Sequence, residues 1–78
     1  MKHAIIWSQM NCEACKQAKH LLLTNGYTYV EKIVGQGGAY TKKDLLDVVP
    51  DARSVPQIFI NGNHIGGYKE LEKVIKTL

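Results

Sequence analysis

The chain of 78 residues is 45% hydrophobic and 22% charged, and its formal net charge is +3. This length predicts a single domain over 1–78 with a small core. The lysines are scattered, whereas nucleic-acid binding needs a clustered basic face, so we expect no nucleic-acid partner. No apolar run approaches the roughly 18 residues of a membrane span and no export signal is visible, so we expect no membrane partner and a cytoplasmic location.

The first half of the chain predicts a strand, a helix and a second strand. The apolar, β-branched run over 3–7 is typical of a buried strand. Asn11 is expected to be the N-cap of the first helix, which ends at Asn25 and Gly26. The apolar face of this helix is predicted to contain Ala14, Ala18, Leu21 and Leu22. Strand-forming residues over 27–34 then predict the second strand.

The glycine-rich segment 35–40 predicts a connecting loop. Its glycines lack the fixed spacing of a dinucleotide-binding fingerprint, so we do not expect it to bind a dinucleotide. Thr41 and Asp44 resemble a capping box, which predicts the start of a second helix. This helix, with Leu45, Leu46, Val48 and Val49, is expected to end before Pro50.

The last third of the chain predicts a hairpin and a helix. A strand over 57–60 and a strand over 63–65 are joined by Asn61 and Gly62, the strongest two-residue hairpin signal. The last helix follows, with Leu71, Val74, Ile75 and Leu78 on one face. The order is thus β-α-β-α-β-β-α. Because the first β-α-β unit is parallel and the hairpin antiparallel, we predict an α/β fold with a four-stranded mixed sheet flanked by three helices.

The two cysteines form a Cys-x-x-Cys motif where the first strand meets the first helix. A helix N-terminus favours the thiolate, which is the reactive form in disulfide exchange. Cys12 lies at the start of the helix, so we expect it to attack. Cys15 lies one turn deeper on the same side, so we expect it to resolve the mixed disulfide.

Two other uses of the cysteines are less favoured. A bridge that closes so short a loop restricts the unfolded chain little, so a purely structural disulfide is the weaker interpretation. A structural zinc site needs four Cys or His ligands, and the three histidines are scattered, so no metal is expected within one chain. A cluster shared between two chains stays open, because each chain would lend a thiolate.

The chain resembles the glutaredoxin family over its whole length. The resemblance rests on three segments: 12–19 with the Cys-x-x-Cys pair, 54–60 (SVPQIFI) and 64–68 (HIGGY). It implies a thioredoxin-like fold and a glutathione-dependent thiol–disulfide oxidoreductase, which reduces protein disulfides and glutathione mixed disulfides. Glutathione would be the co-substrate, and ribonucleotide reductase is a protein substrate that the family suggests. A monomer is expected.

The resemblance also implies roles for individual residues. The peptide bond before Pro56 would be cis, and this proline would face the active thiol. The main chain of Val55 would pair with the cysteinyl part of glutathione. Gly67 and the residues that follow it, Tyr68 and Lys69, would hold the γ-glutamyl end.

Some positions depart from the family pattern. Glu13 and Ala14 replace the usual Pro-Tyr between the cysteines. Gln9 stands where a lysine or arginine is usual, and Lys69 replaces an acidic or hydroxyl residue. Arg53, Lys16 or Lys69 would then supply positive charge for the carboxylates of glutathione.

Two alternatives to the glutathione-driven enzyme are considered. The first is a dimer that binds an iron–sulfur cluster together with glutathione, which the family and the missing proline between the cysteines allow. The second is a glutaredoxin-like electron donor that is reduced by thioredoxin reductase.

Overall fold

The computed structural model describes residues 2–77, and its elements follow the predicted order. The strands are β1 (His3–Ser8), β2 (Thr28–Ile33), β3 (Gln57–Ile60) and β4 (Asn63–Gly66). The helices are α1 (Glu13–Thr24), α2 (Lys42–Val48) and α3 (Tyr68–Thr77). The strands form one sheet in the order β2-β1-β3-β4, with β1 and β2 parallel and the other two pairs antiparallel. The predicted fold class is confirmed.

The start of α1 differs from the prediction. Its N-cap is Cys12, whose extended backbone (φ −112°, ψ 108°) is the conformation that an N-cap needs. Asn11 instead has a φ of 57°, in the left-handed region that asparagine tolerates, and it turns the chain between β1 and α1. The prediction of Asn11 as the cap was wrong because cysteine is not among the usual capping residues.

The buried face of α1 agrees with the predicted face at Ala18 and Leu22 but differs at its first position. Cys15, Ala18 and Leu22 are buried, whereas Ala14 is exposed, so the prediction for Ala14 was wrong. Leu21 packs against the core from a partly buried position. The spacing of i, i+3 and i+7 places Cys15 in line with the core residues of the helix.

The sheet has an apolar core on each face. Along β1, neighbouring side chains point to opposite faces. Ile6 lies in the larger core with Ala18 and Leu22 of α1 and Leu71 of α3. Trp7 lies in the second core, with Val34, Leu45 and Val49.

The predicted hairpin turn and the predicted capping box of α2 are confirmed. Asn61 and Gly62 have φ values of 50° and 87°, both positive, as a two-residue hairpin of this kind requires. Thr41 and Asp44 form the capping box of α2, with hydrogen bonds of 2.8 Å and 3.1 Å between each side chain and the other residue's N–H.

The bounds of three strands differ from the predicted ones. β1 extends one residue beyond 3–7, to Ser8. β2 is shorter than 27–34, because Val34 makes only an isolated bridge to Tyr40 beyond the strand. β4 extends to Gly66. Leu78, predicted on the apolar face of the last helix, lies outside the described residues.

Over residues 2–77, no helix has the length and apolar character needed to cross a bilayer.

Candidate active site

The two cysteines lie where β1 passes into α1, and they form a disulfide with a Cα–Cα distance of 5.2 Å. Cys15 is 1% exposed, whereas Cys12 is half-buried. The backbone N–H of Cys15 donates a hydrogen bond of 3.1 Å to Sγ of Cys12. A donor aimed at Sγ from a helix N-terminus favours a thiolate there once the disulfide is reduced. Of the two sulfurs, that of Cys12 is therefore better suited to attack a substrate disulfide.

The second and third motif segments meet beside β3. The peptide bond between Val55 and Pro56 is cis, as expected. Pro56 is buried at the start of β3. A Cβ added to Gly67 would lie 3.5 Å from the carbonyl oxygen of Pro56. This is an ordinary van der Waals distance, so the turn before α3 lies directly beside the proline segment.

A groove of about 510 Å³ opens in front of Cys12. Its lining includes three more of the residues that the sequence singled out: Gln9, Arg53 and Val55. Lining residues that were not predicted as site residues are Asn11, Val34, Gly35, Lys42, Leu45, Leu46, Ala52 and Ser54. Arg53 and Lys42 are the two cations of this lining, so the groove suits a ligand with carboxylates.

Lys42 was missed because nothing local links it to the cysteines. It is the first residue of α2, next to the N-cap Thr41. The macrodipole disfavours a cation in the first turn of a helix. Lys43 lies in the same turn and pairs with Asp47, so this placement does not single out Lys42 in the sequence.

A family model for glutaredoxin matches residues 4–65 of the chain. The chain belongs to the glutaredoxin family. Its membership, its fold and its Cys-x-x-Cys pair at a helix N-terminus together give it the site of a thiol–disulfide oxidoreductase.

Individual glutaredoxins are similar in sequence and structure. Glutaredoxin 3 of Escherichia coli K12 is 32% identical over 71 residues, which cover 91% of this chain and 83% of that protein. Glutaredoxin 1 of Francisella tularensis, solved with cacodylate, has a TM-score of 0.82 at 25% identity, covering 99% of this chain and 95% of that one. The buckwheat glutaredoxin–glutathione complex has a TM-score of 0.71 at 26% identity, covering 97% and 70%. The chain spans less than half the length of three other relatives, namely 27%, 47% and 46% of their lengths.

Not all of the residues singled out in this glutaredoxin line the groove of Cys12. Tyr68 and Lys16 line a separate depression of about 330 Å³ between α1 and α3. Lys69 is exposed in the first turn of α3. Of the three cations expected to meet the carboxylates of glutathione, Arg53 lines the groove. Lys16 and Lys69 are absent from its lining, which contains Lys42 instead.

The turn before α3 of the glutaredoxin holds a carboxylate of its own chain. Oε1 of Glu70 accepts a hydrogen bond of 2.8 Å from the backbone N–H of Gly67. This bond is the main cause that lowers the pKa of Glu70 below its ordinary value of 4.5. The N–H of Gly67 lies in the turn that the family resemblance assigns to the γ-glutamyl end of glutathione, and Glu70 already occupies it.

A second depression of about 550 Å³ continues the groove along the loop after β2. It shares Gln9, Asn11, Val34 and Gly35 with the groove of Cys12. Met10, 56% exposed, lies in its wall.

Within residues 2–77, no three His, Cys, Asp or Glu side chains cluster as a metal site would require.

Proposed function

We propose that this glutaredoxin uses glutathione to reduce glutathione mixed disulfides and protein disulfides. The observation that carries the proposal is the groove in which half-buried Cys12 lies beside Val55 and two cations, Arg53 and Lys42. Glutathione is an extended tripeptide with two carboxylates and one thiol. A groove with a reactive sulfur, a strand-like main chain and two cations matches those groups.

In the proposed reaction, Cys12 attacks as a thiolate. Its sulfur forms a bond with one sulfur of the substrate disulfide, and the other substrate sulfur leaves as a thiolate that takes a proton from water. The mixed disulfide on Cys12 is then broken either by glutathione or by Cys15. In the second case the enzyme is left with the Cys12–Cys15 disulfide, and the two electrons have passed to the substrate.

The groups that we expect to bind glutathione follow from the groove and the turn before α3. Arg53 and Lys42 compensate for the neutral Gln9 by offering charge to the glycyl carboxylate. Because Glu70 occupies the N–H of Gly67, we expect the γ-glutamyl carboxylate to use the first-turn amides of Tyr68 and Lys69. The similarity to a glutaredoxin solved with glutathione supports glutathione as the ligand.

The test is turnover of a glutathione mixed disulfide, coupled through glutathione reductase to NADPH oxidation. We expect Cys12→Ser to lose activity and Cys15→Ser to keep it, because glutathione itself completes the reaction in the second variant. Activity that survives in Cys12→Ser would contradict the assignment of the nucleophile.

An inactive wild type would exclude a glutathione-driven reductase. Reduction of insulin disulfides by thioredoxin reductase and NADPH through the same protein would then identify an electron donor of the other class. Brown colour and visible absorbance after anaerobic purification would instead identify a cluster-binding dimer.

A further inference from the structure

The depression that continues the groove of Cys12 differs from the groove in charge. It is lined by residues 9–11 and 34–37, none of which is charged, and we call it the neutral depression. The amide side chains of Gln9, Asn11 and Gln36 in its lining both donate and accept hydrogen bonds. The groove itself contains two cations. One continuous surface thus has a cationic part and a neutral part that is rich in amides.

The loop after β2 gives the neutral depression a preformed shape. The backbone N–H of Gly35 donates a hydrogen bond of 2.9 Å to the carbonyl oxygen of Tyr40. The N–H of Tyr40 donates one of 3.1 Å to the carbonyl oxygen of Ile33. Within residues 2–77, the N–H groups of Gln36 and Gly37 have no hydrogen-bond partner. The closed loop therefore presents two backbone donors that a ligand can use.

Met10 forms one wall of the neutral depression. Its side chain is 56% exposed, although it lies only two residues before Cys12. A Cβ added to Gly37 would lie 3.3 Å from Cγ of Met10, so the methionine lies against the bare backbone of the loop. A methionine side chain is unbranched and polarisable, and it adapts to partners of different shape. An exposed methionine beside the reactive cysteine therefore suits contact with substrates of varied sequence.

A glutathione mixed disulfide has two halves, and both need room beside Sγ of Cys12. The cationic part of the surface matches the carboxylates of the glutathione half. The neutral depression shares four lining residues with the groove, so it is the adjoining space for the other half. An extended peptide offers its own N–H and C=O groups to the amides of Gln9 and Gln36 and to the two backbone donors. A second glutathione would instead bring two carboxylates to a surface without a cation.

We propose that the neutral depression binds the polypeptide segment next to the cysteine of a glutathionylated protein, with Met10 as a specificity-determining contact. This proposal rests on the proposed function. Cys12 attacks the glutathione sulfur, the bond between the two substrate sulfurs breaks, and the cysteine of the partner protein leaves as a thiolate that takes a proton from water. The neutral depression contacts this leaving half. It therefore favours mixed disulfides of proteins over those of small thiols.

The test compares two substrates that share the glutathione half. One is a glutathionylated peptide with uncharged residues around its cysteine, and the other is the mixed disulfide of glutathione and β-mercaptoethanol. Reduced protein is mixed with each substrate without free glutathione, and release of the leaving thiol is measured by rapid acid quench and chromatography. We expect Met10→Ala to lower the second-order rate constant for the peptide about three- to tenfold, because apolar contact is lost. The small substrate does not reach Met10, so its rate constant is expected to stay the same.

A second variant narrows the neutral depression instead of widening it. Gly37→Asn adds a side chain against Met10, at a φ of 83° that asparagine tolerates. We expect the same selective loss with the peptide. Leu23→Ala is the matched control, because Leu23 is an apolar side chain on α1 that is 58% exposed and lines neither the groove nor the neutral depression. This control is expected to change neither rate constant.

Equal losses with both substrates would overturn the proposal, because Met10 would then act on Cys12 itself. An unchanged rate constant for the peptide in Met10→Ala would also overturn it. A wild-type dimer that Met10→Ala abolishes in analytical ultracentrifugation would assign the neutral depression to a second copy of the chain, with the same consequence. The exchange uses neither free glutathione nor glutathione reductase. A failure of the glutathione-driven turnover assay would therefore reject the proposed function and leave this comparison of substrates measurable.

Discussion

At the scale of single residues, the cations of the groove decide which ligands it takes. Arg53 and Lys42 come from separate parts of the chain, one before the cis proline and one at the start of α2. Both are exposed and no ion-pair partner within residues 2–77 is recorded for either. Their charges are thus free to meet the carboxylates of a ligand.

We expect Lys42→Met and Arg53→Met each to raise KM for glutathione about three- to tenfold, with kcat little changed. The reason is the loss of a charge-assisted hydrogen bond that forms on binding. Steady-state kinetics against glutathione concentration measure the effect. Lys43→Met is the control, since Lys43 already pairs with Asp47 and is 84% exposed. An unchanged KM in both variants would remove these cations from the proposed site.

The sequence identified some site residues because their signals are local. The cysteine pair and the Val55-Pro56 segment carry their chemistry in adjacent positions. Lys42 was missed because its place in the groove depends on the long connection after β2, which brings α2 to the cysteines. The burial of Ser8 was not predicted either, because its hydrogen-bond partner Glu31 lies 23 residues away in the sequence.

At the scale of elements, α2 is short and depends on its cap. It has seven residues and supplies Lys42, Leu45 and Leu46 to the groove. We expect Thr41→Ala to lower the free energy of unfolding by about 1 kcal/mol, because it removes one half of the capping box. Urea unfolding measures the change. Thr24→Ala, at the exposed end of α1, serves as the control and is expected to stay within about 0.5 kcal/mol of the wild type.

The start of α3 makes stability depend on pH. The N–H of Gly67 lowers the pKa of Glu70 in the folded state below the ordinary value of 4.5. The bond to the charged carboxylate therefore adds to the free energy of unfolding at pH values above 4.5. This contribution is lost as pH falls through the lowered pKa. We expect Glu70→Gln to be less stable than the wild type at pH 7, with the difference shrinking in acid. Urea unfolding at both pH values tests this, with Glu72→Gln as the control on the same helix. A difference that persists in acid would contradict it.

At the scale of the whole molecule, the fold was predictable because its signals agree. Apolar periodicity, the capping box of Thr41 and the hairpin at Asn61 each indicate one element, and the handedness of the β-α-β unit then limits their arrangement. The sequence does not show which side of an element faces the site. Ala14 and Cys15 both fit an apolar helix face, and only packing against β1 decides between them.

The capping of α1 by Cys12 determines which substitution best removes the reactive sulfur of this glutaredoxin. Serine is a favoured N-cap, so Cys12→Ser removes the reactive sulfur and retains an acceptor for the N–H of Cys15. Alanine at the same position would remove both, at a cost of about 1 kcal/mol to the helix. An alanine variant would lose the reactive sulfur and also have a less stable helix, so the two effects could not be told apart. The serine variant loses the sulfur and keeps the helix cap.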